Sequence, residues 1–287
     1  MKTLQMTALA IALTAVAGQA SAYNLTFNDN WGFNSTGAGL ATALQPIDEM
    51  TYLGVSYTES TGTSAGSTFK DVGRIGATGF QNDASVIPAG VSGLGISYEL
   101  SATFLNWTGT YGPTTGNNTT FSFDAGGTLN IFKDNVLDNT SFAGAGNGTP
   151  IMTLSILVGT GNINFGNPAG LDGNIDILFN VDSVAAGYWF LDTDADGAPD
   201  TDVATLLGNN TMTVGLTDSN NNIFTPSAAV AADFIATTGL GNPTGAGDIY
   251  TTNDGSFTLG TVPEPGTLAL LGLGLLGLGA ATRRRQA

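Results

Sequence analysis

Asp192, Asp194 and Asp196 alternate in the stretch LDTDADGAPDTD, with Gly197 behind them and Asp200 and Asp202 further on. Carboxylates two residues apart deliver successive oxygens to one side of a loop. Hard oxygen ligands and a glycine where the chain reverses are what calcium requires. In EF-hand terms Asp192, Asp194 and Asp196 stand at positions one, three and five, Gly197 at six, the Ala198 carbonyl at seven and Asp200 at nine. Val203 stands where the bidentate Glu would be, so the stretch reads as a shortened DxDxDG loop of the extracellular kind. Five carboxylates in eleven residues repel one another without a counter-ion. The expected role of Ca2+ is structural, as a clasp. The competing reading is a solvated acidic turn.

Two other chemistries have candidate residues. Trp31, Trp107 and Trp189, with Tyr111 and Tyr188 nearby in sequence, could stack on sugar rings, Trp107 and Trp189 being the leading pair. The alternative is that they pack the core, the usual fate of large aromatics. A glycoside hydrolase can run on two carboxylates alone, but Glu49, Glu59 and Glu99 sit in no recognisable pairing, so no catalytic residue is assigned and no enzyme is expected.

These residues must be held by a β-rich body. Apolar residues recur with period two. In GISYELSATF, Ile96, Tyr98, Leu100, Ala102 and Phe104 share one face, while Ser97, Glu99, Ser101 and Thr103 share a face expected to be wet. NIDILFNV repeats the pattern at Ile175, Ile177, Phe179 and Val181, TMTVGLT at Met212, Val214 and Leu216, and GSFTLG at Phe257 and Leu259. IMTLSILV, apolar on both faces, reads as a central strand. Further strands are expected at YNLTF, MTYLGVSY, TFSF, TLNIFK and GYWFL. Turns rich in Gly, Asn, Asp and Pro separate them. The expected fold is a β-sandwich or jelly-roll-like domain over residues 23–261. ALATALQPIDEM and DTDVATLLG are candidates for short helices. One domain is the economical reading, with two small sandwiches as the alternative.

Composition removes whole classes of function. The chain has 287 residues with no cysteine and no histidine, which excludes a Ser-His-Asp triad, a thiolate nucleophile, a disulfide and an ordinary zinc site. Between Tyr23 and Thr261 stand twenty-two acidic residues against Lys70, Arg74 and Lys133, a net charge of −19. Such a surface repels nucleic acid and suits cations, or simply solubility.

Both ends read as addresses. Lys2 precedes an apolar run from Met6 to Ala17, and Ala20 and Ala22 give the small-x-small pattern cut by signal peptidase. Residues 1–22 are therefore expected to be a signal peptide. At the other end, the seventeen uncharged residues Gly266 to Thr282 approach the length of a membrane helix. Arg283, Arg284 and Arg285 then stop translocation on the cytoplasmic side. A plain anchor does not need Pro263-Glu264-Pro265, whose two prolines keep the approach to the membrane extended.

Residues 262–287, with Val262, Pro263, Glu264 and Pro265 ahead of the apolar span and the arginine cluster, resemble the PEP-CTERM sorting signal of Gram-negative bacteria. The resemblance implies export by the general secretion route and recognition of the tail by exosortase, a membrane cysteine peptidase or transpeptidase. The chain would be held at the inner membrane by its C-terminal helix before processing, then released or attached at the cell exterior in bacteria that make exopolysaccharide, biofilms or flocs. The Gly/Thr/Asn-rich body with GYWFLDTDADG is also similar in texture to flocculation-associated members. The expected function is a non-enzymatic surface or matrix protein associated with exopolysaccharide. The alternatives are a carbohydrate-binding module that uses Trp107 and Trp189, or a polysaccharide hydrolase.

Overall fold

The computed structural model describes residues 26–27, 30–165, 173–194, 196–207, 211–245 and 247–262. Residues 27–260 form one compact unit, the body. Its elements begin with β1 (Thr26–Phe27), β2 (Trp31–Phe33), β3 (Leu44–Ile47), β4 (Glu49–Ser60), β5 (Thr68–Asn82) and β6 (Ser85–Ile87). Next come α1 (Ala89–Ser92), β7 (Glu99–Thr115), β8 (Asn118–Phe123), β9 (Thr128–Asp134), α2 (Phe142–Ala145) and β10 (Thr149–Asn164). The last are β11 (Gly173–Val184), β12 (Trp189–Leu191), β13 (Thr201–Asp202), α3 (Val203–Leu206), β14 (Thr211–Phe224), α4 (Ala228–Thr238) and β15 (Ile249–Val262).

The main sheet closes on itself. Antiparallel pairing runs β5–β4–β15–β14–β11–β10 and then, through β8 and β9, to β7, which pairs back onto β5. Strands β8 and β9 occupy one position in the ring. The first pairs with the C-terminal half of β7 and the second with its N-terminal half, and both lie against β10 on the other side. Eight positions thus form an up-and-down barrel, a size whose interior side chains can fill. The mainly β expectation holds, but the pairing does not make the expected sandwich or jelly roll. Two facing sheets need free edges, and pairing Thr68–Gly76 of β5 with Ser101–Thr110 of β7 removes them.

Alternation explains which residues enter. Met50 and Tyr52 of β4, Leu100, Ala102, Phe104, Trp107 and Tyr111 of β7, Ile177, Phe179 and Val181 of β11, and Phe257 and Leu259 of β15 are buried in one apolar core. On the outside stand exposed or half-exposed Glu59, Thr108, Thr120, Asp124, Asp182 and Asp254. A membrane-spanning barrel has the reverse arrangement, apolar outside.

The two ends differ. One is plugged by a four-stranded sheet in the order β13–β12–β2–β3. Its Trp31, Phe33 and Trp189 pack on Phe80, Tyr98 and Phe257, with ring centroids 5.9–6.0 Å apart. The other end is a mouth formed where β5, β8 and β11 begin and β4, β7 and β10 end.

A second, smaller core lies outside the barrel wall. Phe234 of α4 and Phe142 of α2 cover Tyr57, Val72 and Tyr250, outward residues of β4, β5 and β15. This covering corrects the expected wet face of GISYELSATF. Glu99, Ser101 and Thr103 are buried, and the Ser101 hydroxyl donates to the Ala145 carbonyl at 2.8 Å. Ile96, expected inside, is exposed in the turn before β7. The helix expected in ALATALQPIDEM is also corrected. A single 3-10 turn at Leu40–Thr42 gives way to strand β3, which carries Pro46, a residue unable to donate inside a helix. The helix expected in DTDVATLLG is α3, capped by Asp202 accepting from Ala204 N–H at 2.9 Å.

Candidate functional site

The acidic loop joins β12 to β13 on the plugging sheet. Its approach is rigid, since β12 is buried and pairs with both β2 and β13. The loop then turns on Gly197 at φ 94°, a left-handed conformation that glycine adopts without strain. Asp192 accepts from the Gly197 N–H at 2.8 Å, Asp194 from the Asp196 N–H at 3.2 Å and Asp196 from the Ala198 N–H at 2.9 Å. These turns bring one carboxylate oxygen from each of Asp192, Asp194 and Asp196 within 4.8 Å of one another. Oxygens on opposite sides of one Ca2+ lie about 5 Å apart at most, given Ca–O distances of roughly 2.3–2.6 Å. The three carboxylates therefore fit a calcium ion.

Asp200 does not join them. Its carboxylate accepts from the Thr201 hydroxyl at 2.9 Å and from the Thr193 N–H and hydroxyl at 3.2 and 3.1 Å. Hydrogen bonds from Thr201 and Thr193 also hold its pKa below the ordinary value. The spacing that suggested a ligand instead closes the loop onto β13. Exposed Ala198 contributes its N–H to Asp196. Asp202 is taken up by the α3 cap and by the Gly187 N–H at 2.6 Å.

The aromatic-platform reading is corrected by burial. Trp31 and Trp189 are 0 % exposed and Trp107 is 3 % exposed. Trp107 stacks on Phe104 at 3.8 Å inside the barrel and donates its indole N–H to the Thr128 carbonyl at 2.9 Å. No sugar ring reaches Trp107 or Trp189 in this fold.

A polar group that the sequence reading passed over lies inside the mouth of the barrel. Alternation along β4, β5 and β15 turns Ser56, Thr58, Asp71, Thr251 and Asn253 inward, and all five are buried. Thr58 donates to Asp71 at 3.1 Å, the Ser56 and Thr251 hydroxyls share a hydrogen bond of 2.7 Å, and Asn253 donates to Ser56 at 3.2 Å. Burial pushes the Asp71 carboxyl up to about 7, against the pull of the Thr58 and Ser56 hydroxyls. The signal was present in TFKDVG, where Asp71 shares its strand face with Phe69.

The tail completes the set. Strand β15 ends at Val262, one residue before Pro263, which has no N–H to extend a ladder. The family model for the PEP-CTERM protein-sorting motif matches residues 261–285. The chain carries a PEP-CTERM sorting signal. The motif indicates an exported protein with exosortase as its processing partner and the surface of a Gram-negative cell as its destination. No curated protein and no solved structure matches the chain. Pro263, Glu264, Pro265, Arg283, Arg284 and Arg285, the membrane helix expected at 266–282 and the signal peptide at 1–22 lie outside the described residues. Among the described residues no helix is long and apolar enough to cross a membrane.

Proposed function

We propose that this PEP-CTERM protein is a non-enzymatic component of the cell surface or extracellular matrix, associated with exopolysaccharide in biofilm or floc formation. The observation that carries the reading is the sorting motif at 261–285 joined to a barrel that turns polar residues outward. Signal peptidase removes the leader, the C-terminal helix holds the chain at the inner membrane with Arg283–Arg285 inside, and exosortase then acts at Pro263-Glu264-Pro265. The body becomes an acidic, histidine- and cysteine-free module of the exterior.

Structural Ca2+ belongs to the same proposal. The support is the convergence of Asp192, Asp194 and Asp196. An ion there would neutralise their mutual repulsion and tie the β12–β13 turn together in a protein that has no disulfide.

The test is deletion of the gene in its host, scored for flocculation, biofilm mass and retention of exopolysaccharide. It is complemented by the intact gene and by a Pro263→Ala, Glu264→Ala tail variant. Loss on deletion, rescue by the intact gene and failure of the tail variant are expected. Unchanged flocculation and matrix retention in the deletion strain would remove the reading.

A further inference from the structure

Asp71 is the odd residue of the barrel interior: it is 5 % exposed and lines a cavity of about 30 Å³ just inside the mouth. Two kinds of wall meet there. Ser56, Thr58 and Thr251 supply hydroxyls on one side, and Phe69, Tyr111 and Phe121 supply rings on the other. The basic side chains of the body, Lys70, Arg74 and Lys133, do not line the cavity. A carboxylate withdrawn from water without a positive partner is costly, so it either holds a proton or receives a cation.

We propose that this cavity is a binding site for a small protonated primary amine. The ammonium group donates to the Asp71 carboxylate and to neighbouring hydroxyl oxygens, while the aromatic walls accept its charge over their faces. The choice of cation follows from the lining. Calcium needs six to eight oxygens and usually several carboxylates, whereas one carboxylate, a few hydroxyls and aromatic rings match an ammonium group. The space admits a small ammonium compound, of which methylammonium is the simplest primary-amine probe. The net negative body raises the local concentration of any cation at its surface.

Occupancy depends on ionised Asp71. Among the described residues, the titratable groups around it are Tyr111 from β7 and, by way of Tyr111, Asp248 from the turn before β15. Glu59 and Lys70 stand opposite each other across β4 and β5 on the outer face, and among the described residues the facing strands β8, β10 and β11 contribute Phe121, Phe123, Ile163 and Ile175 to the lining. The site is independent of the calcium loop, which lies at the opposite end of the barrel.

Calorimetric titration of the full chain in detergent with methylammonium chloride tests the assignment, with tetramethylammonium chloride and KCl at matched ionic strength as comparisons. Saturable binding is expected at about pH 8.5 and loss of it at about pH 5.5. In Asp71→Asn, binding should weaken by about 30-fold or more. Tetramethylammonium, which has no N–H, should not bind. Absence of saturable methylammonium binding at the higher pH, or equal binding by wild type and Asp71→Asn, overturns the proposal. K+ binding as tight as methylammonium overturns the amine assignment. Should Asp71→Asn fail to fold, the wild-type pH profile decides: loss on acidification supports the site and pH-independent binding refutes it.

Discussion

Phe69 on β5 stands directly opposite Gly109 on β7, and its ring occupies the space a side chain at residue 109 would need. Four residues further along β5 the relationship is reversed, with Gly73 beneath the ring of Phe104. The closing seam of the barrel is thus packed by large rings over missing side chains, an alternation suited to a narrow interior.

Gly109→Val should therefore destabilise the body by about 3 kcal/mol, because the added Cβ meets both the Phe69 ring and the Ser122 carbonyl. The urea midpoint measures it. Adding Phe69→Leu should recover the part due to the ring, so that the two changes are non-additive by about 1 kcal/mol. Strict additivity would mean that the seam is not packed this way.

Calcium should raise the melting temperature of the wild type, with a stabilisation of about 2.7 kcal/mol when the ion is at a hundred times its dissociation constant. Asp194→Asn should abolish the shift. Asp200→Asn should keep it, since that carboxylate is committed to Thr193 and Thr201. Equal loss in both variants would place the ion elsewhere in the loop.

Stability should fall with rising pH on account of Asp71. Its folded value of about 7 lies above the unfolded carboxyl, near 3.9, because burial disfavours the charge. The contribution is favourable below about pH 4 and is lost as pH climbs through about 7. Denaturation midpoints of wild type and Asp71→Asn should diverge across that window, by free energies on the order of a few kcal/mol. Parallel curves would contradict a buried carboxyl. Asp248 works in the opposite sense. Burial opposes its charge, but the N–H groups of Ser60, Thr244 and Gly245 hold its pKa down, so its contribution is lost only in acid.

Helix α4 is fastened to the barrel through Asp233, which lies 3.7 Å from the Arg74 guanidinium and accepts from the Phe142 N–H at 3.0 Å. Arg74 also donates to the Asn139 carbonyl at 2.9 Å. Asp233→Ala leaves a half-buried cation and a backbone donor without this carboxylate, at a cost of about 2 kcal/mol. The loss should appear as faster hydrogen exchange in residues 228–238 and 138–146, with the β10–β11 pair unchanged. Uniform acceleration would show that the contact is not local.

Much of this architecture is visible in the order of residues. Ile177, Phe179 and Val181, or Phe257 and Leu259, declare an inward face because a strand alternates whatever its partners are. What alternation cannot declare is closure. The β4–β15 pairing sets Met50–Thr58 against Ile249–Phe257, residues far apart in sequence, and no local pattern says that two edges will meet. Nor does it show that an outer face will be roofed, which is why Glu99 and Ser101 read as wet. Helix α4 did carry signals, Ser227 as its N-cap and Gly239 as its left-handed C-cap, amid a sequence dominated by period two. At the acidic loop the spacing located three converging carboxylates but could not show that Asp200 stands apart from them, facing the threonines of its own turn.

Strand β15 runs from the mouth, at Ile249, to the plugged end, where Phe257 touches Trp189 and Leu259 is buried. A pull applied beyond Val262 would therefore enter the body at its plugged end. Tension arriving along the tail pulls β15 lengthwise against β4, to which Ile249–Phe257 are paired in unbroken register. Those hydrogen bonds are loaded in shear and must yield together, whereas a strand peeled from its end gives way one bond at a time. The strand that leads to the sorting motif is thus one that would bear load along its whole length instead of fraying bond by bond.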